Sequence, residues 1–213
     1  LKNKAKMEED ESLRFVSISD VALSEELNDK VDDEIAVYYA YGEIKEDITG
    51  GFAQESAITS KQMTKDLQEL REDDDVKAVV LRVNSPGGSA YASEQIWREV
   101  QLLSKEKPVI VSMGALAASG GYYISCGANK IFAEPTTLTG SIGIFGMIPD
   151  ATELLTDKLG LSFDVVKTNA HSDFGAMGRP LNESECRLMQ AYINQGYELF
   201  TGRVAQGRNI SQD

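Results

Sequence analysis

The spacing of apolar positions changes several times along the chain, and each change marks an element. From Leu1 to Asp33 charge outweighs apolar content, periodicity is weak and aromatics are few. The expectation there is an acidic linker or lead-in arm. "EIAVYYAYGEI", Glu34 to Ile44, is the first convincing strand, rich in Val, Tyr and Ile. A loop with Gly50 and Gly51 follows. "SKQMTKDLQELR", Ser60 to Arg71, then places Met63, Leu67 and Leu70 on one helical stripe.

The same alternation of types continues. "VKAVVLRVNS", Val76 to Ser85, reads as a buried strand ending in "SPGGS". Ser89 can cap the next helix, whose inner face is Ile96, Trp97, Val100 and Leu103. Pro108 opens "PVIVSMG", a run typical of parallel sheets. A small-residue helix is expected from about Ala118 to Gly127. "KIFAEP", "GSIGIFG" and "SFDVVKT" read as strands, and "TELLTDKLG" as helical. A long helix is expected from Asn182 to Val204, with Asn182 and Glu185 spaced for a capping box. Strand and helix alternate, which predicts an α/β domain with a largely parallel sheet flanked by helices. Residues 34–213 are read as that domain.

Composition narrows the class. The chain has 213 residues, 42% hydrophobic and 26% charged, enough for one domain with a core. A net charge of -13 argues against nucleic acid and against polybasic attraction to lipid. Cys126 and Cys186 are far apart and read as small apolar residues. No spaced His/Asp/Glu set suggests a metal, and no cofactor is expected. No apolar run is long enough to span a membrane. The chain starts at Leu1, inside a polar stretch, and is read as a fragment; any membrane anchor is expected outside it.

In an open parallel sheet, sites form beyond the carboxyl ends of strands. Two segments qualify, "NSPGGS" and "GALAASGG". The first is either a plain Pro-Gly turn or a turn, permitted by Gly87 and Gly88, whose exposed amides ahead of a helix hold an anion. In the second, Ser119 is either a helix cap or a nucleophile. If it is a nucleophile, the Gly120 amide beside it and the Gly87 amide facing it could hold an oxyanion. Gly88, Met113, Leu116 and Ile144 are candidate cleft residues. The proton acceptor is the difficulty. His171 is the sole histidine, in "TNAHSD". Among the lysines, Lys130 and Lys158 read as solvated, and Lys167 is the local candidate. "GSIGIFG" is spaced GxxGxxG and lacks a P-loop lysine, so it does not read as a nucleotide loop.

Together, "VLRVNSPGGS" and "KPVIVSMGALAASGGYYISCGANKIFAEPTTLTGSIGIFG" resemble the signal peptide peptidases of peptidase family S49, the protease IV family. The resemblance begins near Glu34. It implies the ClpP/crotonase-like fold, Ser119 as nucleophile and the Gly87 and Gly120 amides as oxyanion hole. It implies a lysine base, cleaved signal peptides as substrate, homo-oligomers, and a place on the outer face of the bacterial cytoplasmic membrane. Short members carry the lysine in a segment resembling "GAHKD". This chain has "NAHSD", with Ser172 in that place. The resemblance therefore implies either an inactive protein or the serine-bearing C-terminal half of a two-repeat form, truncated at its C-terminal end, with lysine supplied by the N-terminal repeat. The rivals are a Ser119-His171-Asp173 triad of ClpP type, a silent assembly module, and an acyl-CoA-binding crotonase homologue.

Overall fold

The computed structural model describes residues 33–47 and 57–212. The arm expected over 1–33, but for Asp33, and the Gly50-Gly51 loop lie outside the described residues.

Five strands form one all-parallel sheet: β1 (Glu34–Tyr41), β4 (Val76–Ser85), β5 (Val109–Ala118) and β6 (Lys130–Phe132) in that spatial order, with β7 (Leu138–Gly140) pairing the end of β5. A small parallel pair, β2 (Glu43–Lys45) and β3 (Ala57–Thr59), stands beside it. The first strand expected from the sequence is thus two strands, parted at Gly42, which takes φ 103°. The helices are α1 (Ser60–Glu72), α2 (Ala90–Glu106), α3 (Gly120–Ser125) and α4 (Glu183–Arg208), with a π-helical turn at Leu154–Lys158. Parallel strands need crossovers, and α1 and α2 are those crossovers.

The core follows from strand alternation. Val79, Leu81 and Val83 of β4 and Val109 and Val111 of β5 are fully buried. They meet Met63 and Leu67 of α1 and Ile96, Val100 and Leu103 of α2. Each crossover helix opens on a hydroxyl cap: Thr59 accepts from the Gln62 amide, and Ser89 accepts from the Ala92 amide. Asn182 and Glu185 close the expected capping box at the start of α4.

Two expected strands are absent. Ser162 to Thr168 joins no ladder and is largely exposed. Its Phe163 ring packs over Gly178 instead, where a Cβ would fall 2.6 Å from the ring. "GSIGIFG" contributes only its first glycine to β7, because Ser141 at φ 49° turns the chain out of the sheet.

Candidate active site

The turn after β4 and the elbow after β5 meet at the carboxyl end of the sheet. Ile44 of β2 fixes the turn: its N–H donates to the Gly87 carbonyl and its carbonyl accepts from the Ser89 N–H, both at 2.8 Å. This leaves no room for side chains. A Cβ on Gly88 would lie 2.1 Å from the Ile44 carbonyl oxygen, and one on Gly87 would lie 2.6 Å from the Gly120 nitrogen. Gly87 also takes φ 98°, open to glycine and costly for other residues.

Ser119 sits between the last residue of β5 and the first of α3, at φ 51° and ψ -120°. That conformation is strained for a residue with a Cβ. Its side chain makes no cap hydrogen bond, although its position is the N-cap of α3. Its backbone is held on both sides: the Ser119 N–H donates to the Gly140 carbonyl, and the Tyr123 N–H donates to the Ser119 carbonyl, each at 2.9 Å. A strand, a strained serine and a helix in succession present a hydroxyl outward, the arrangement of a nucleophile elbow.

The amides around Ser119 differ from the sequence expectation in one respect. The Gly87 N–H donates to Ser85 Oγ at 3.1 Å, within its own turn. Among the described residues, neither the Gly88 nor the Gly120 N–H donates to a protein acceptor. A Cβ placed on Gly120 would lie 3.2 Å from the Gly88 nitrogen, so these two donors are neighbours. Sequence reasoning passed over Gly88 as a donor. The available signal was Ser85, two residues ahead of Gly87, where a serine side chain competes for a turn amide.

Ser119 opens into a cavity of about 350 Å³ with Gly88 and Gly120 at its base and Ile144, Phe145, Tyr192 and Phe200 along its walls. Ile144 thus lines the cleft. Met113 does not: it is 2% exposed and belongs to the core beneath the sheet. Leu116, paired with Leu138 on β7, is not a lining residue either. The wall is largely one face of α4, held by a polar clamp. Glu94 of α2 accepts from the Tyr123 hydroxyl at 2.5 Å and pairs with Arg203 of α4 at 2.5 Å. The Arg203 guanidinium lies 4.0 Å over the Trp97 ring, and the Tyr123 and Phe200 ring centroids are 4.5 Å apart. Burial, and then the Glu94 carboxylate, push the Tyr123 hydroxyl above its usual pKa, so it stays a donor.

Among the described residues, none lining this cavity is a lysine, a histidine or a carboxylate. Lys167 pairs with Asp173 at 2.8 Å. Asp173 is in turn gripped by Arg179, and His171 faces Glu185 at 3.5 Å. The histidine and the aspartate of the rival triad are thus engaged in a separate charged cluster, and neither lines the cleft with Ser119. Arg179, with Lys167 after it, holds the Asp173 carboxyl well below the usual carboxylate range. Arg179 and the Asn182 amide hold Glu185 down at about 2. Ser172 donates to the Asn169 carbonyl at 3.1 Å and is exposed.

A strained serine beside glycine amides at the carboxyl end of a parallel α/β sheet has the layout of the Clp protease-like fold. The family comparisons agree and go further. The Clp protease family matches residues 17–139, and peptidase family S49 matches residues 101–213. The chain is 38% identical over 183 residues to the chloroplastic serine protease SPPA of Arabidopsis thaliana, covering 85% of this chain and 27% of that protein. It is 43% identical over 183 residues to Protease 4 of Haemophilus influenzae, covering 85% of this chain and 29% of the relative. It is 39% identical over 145 residues to a putative signal peptide peptidase SppA of Enterococcus faecium, covering 68% of this chain and 42% of the relative. The chain belongs to peptidase family S49. It spans less than half the length of each of these three relatives.

Proposed function

We propose that this chain supplies the nucleophile and the oxyanion hole of a serine endopeptidase whose lysine base comes from another repeat or protomer. Ser119 Oγ attacks a peptide carbonyl and its proton passes to that lysine. The carbonyl oxygen becomes an oxyanion, held by the Gly120 amide and, in place of Gly87, by the Gly88 amide. Each such donor contributes about 3 kcal/mol to the transition state. The intermediate collapses as the C–N bond breaks and the lysine returns the proton to the leaving amine; water then attacks the acyl-enzyme, gives its proton to the lysine and frees Ser119 and the carboxyl product. The observation that carries this reading is the cleft's composition: a strained serine and two available amides, with no lysine, histidine or carboxylate along the walls among the described residues. A serine without a base within reach is a weak nucleophile.

The substrate class follows from the walls and from the relatives' names. An apolar cleft suits the apolar core of a cleaved signal peptide, and one relative is named a signal peptide peptidase. The setting proposed is the outer face of the bacterial cytoplasmic membrane, with oligomeric copies around a shared site. No helix among the described residues is long and apolar enough to cross a membrane; the reading puts the anchor outside them.

The test is labelling by a fluorophosphonate in a protein of the relatives' full length that contains this chain. Labelling should occur at Ser119 and vanish in Ser119→Ala. His171→Ala and Lys167→Met should both leave peptide hydrolysis within about threefold of the parent. Loss of about 10²-fold or more on either change would move the base into this chain and overturn the split site.

A further inference from the structure

Gly196 stands in the middle of α4, where glycine is unfavourable relative to alanine. Its backbone is helical, so no turn requires it. It borders two cavities at once. One is the cleft that holds Ser119; the other is an apolar chamber of about 270 Å³ behind it, bounded by Tyr91, Glu94, Tyr123, Tyr192 and Leu199. Ile144 borders both cavities too. A Cβ on Gly196 would lie 2.7 Å from Ile144 Cδ1, the free end of a flexible side chain. The missing side chain therefore leaves a notch into which Ile144 fits; Ala90, Tyr123 and Tyr192 complete the border shared by the two cavities.

We propose that Gly196 and Ile144 set the size of the side chain accepted on the residue that bears the scissile carbonyl, and that the site takes a large aromatic or long aliphatic group. This rests on the peptidase reading above. A carbonyl held between the Gly88 and Gly120 amides lies beside Ser119 in the cleft. The side chain of the same residue starts one bond away and enters the apolar wall. With the notch empty, Ile144 recedes toward α4 and the group reaches the second chamber. With the notch filled, Ile144 is driven toward Ser119 and the cleft shortens. The acid in the second chamber does not select a basic group. One Glu94 oxygen is taken by Arg203 and the other by the Tyr123 hydroxyl, with Arg203 Nε also turned toward it. The selection is by apolar volume.

The experiment compares peptides with Phe, Leu, Lys or Ala before the cleaved bond, in the full-length protein and its Gly196→Ala variant. Alanine suits a helix interior, so the variant should fold. The ratio of kcat/KM for Phe over Ala peptides should fall by about tenfold or more, the usual worth of a methylene in an apolar pocket. Adding Ile144→Ala to Gly196→Ala should restore it, which a general packing defect would not allow. The parent should cleave Phe and Leu peptides faster than Lys peptides. A ratio within twofold of the parent, or a loss not rescued by Ile144→Ala, overturns the proposal. A second arm separates it from the peptidase reading. Calorimetric binding of the Phe peptide is measured on Ser119→Ala with and without Gly196→Ala. Weakened binding in the double variant, together with absent hydrolysis and no fluorophosphonate labelling in the parent, would sink the peptidase reading and keep the pocket. Unchanged binding would sink the pocket.

Discussion

Ser119 holds a backbone conformation that a residue with a Cβ resists, and nothing about its hydrogen bonds relaxes it. The strain is maintained by its surroundings: Gly140 accepts from its amide, and Gly87 and Gly120 crowd it without side chains. Strain of this kind costs about 1–3 kcal/mol and is tolerated where it aims a functional group. It gives a stability test independent of activity. Replacing alanine by glycine ordinarily lowers stability, through the freedom glycine gains when unfolded. Here the order should reverse. Ser119→Gly should unfold at a urea midpoint equal to or above that of Ser119→Ala, with both variants inactive. A midpoint for Ser119→Gly clearly below Ser119→Ala would mean the elbow is unstrained. The hydroxyl was legible in the sequence because two small-residue segments each follow a strand. Its conformation was not, since nothing in "AASGG" states which residue takes the positive φ. The engagement of Gly87 by Ser85 Oγ was likewise hidden, being a competition between two acceptors for one amide.

At the level of elements, those with their own periodicity were legible and those dependent on a partner were not. The α1, α2 and α4 stripes and the β4 run stand nearly where the sequence puts them, because burial of one face or of both is written into the spacing. "SFDVVKT" has strand composition, yet it joins no ladder among the described residues, and a strand is stabilised only by its neighbours. Met113 was misplaced for a related reason. Its register on β5, opposite Val83 of β4, sets it on the helix-covered face rather than at the cleft. What holds the irregular stretch before α4 is charge. Arg179 bridges Asp173 and Glu185 with four contacts of 2.7–2.8 Å, and Lys167 and His171 add to it. Both carboxyls titrate below their unfolded values, so their contribution is present above about pH 4.3 and is lost as pH falls toward 2. The thermal midpoint should therefore decline between about pH 4.3 and 2. Arg179→Met should lower it at neutral pH and flatten that decline. An unchanged slope in Arg179→Met would place the acid sensitivity elsewhere.

Among the described residues the sheet is asymmetric. The helices cover one face, while Ile35, Val37 and Tyr39 of β1 stand exposed on the other, beside Ala78, Val80 and Arg82 of β4. Around the cleft the same holds: Phe145, a wall residue, is 88% exposed, and Met147 beside it is 86% exposed. A parallel sheet is ordinarily covered on both sides, and a catalytic cleft ordinarily carries its own base. The described residues depart from both rules at once, and a split site gives one physical account of the departures. If the lysine arrives from another repeat or protomer, the walls nearest Ser119 must stay open until it does. The consequence is kinetic. General-base assistance contributes about 10²–10⁴-fold, so the isolated 213-residue chain should hydrolyse peptides slower than the full-length protein by about that factor. Ser172→Lys, which restores a lysine to the segment where short family members carry it, offers the converse. Residue 172 is exposed in a turn outside the cleft of its own chain, so any activity gained should come from contact between copies. Specific activity should then rise with protein concentration. A gain independent of concentration would mean that the segment reaches Ser119 within one chain, and the idea of a base supplied from outside would fail.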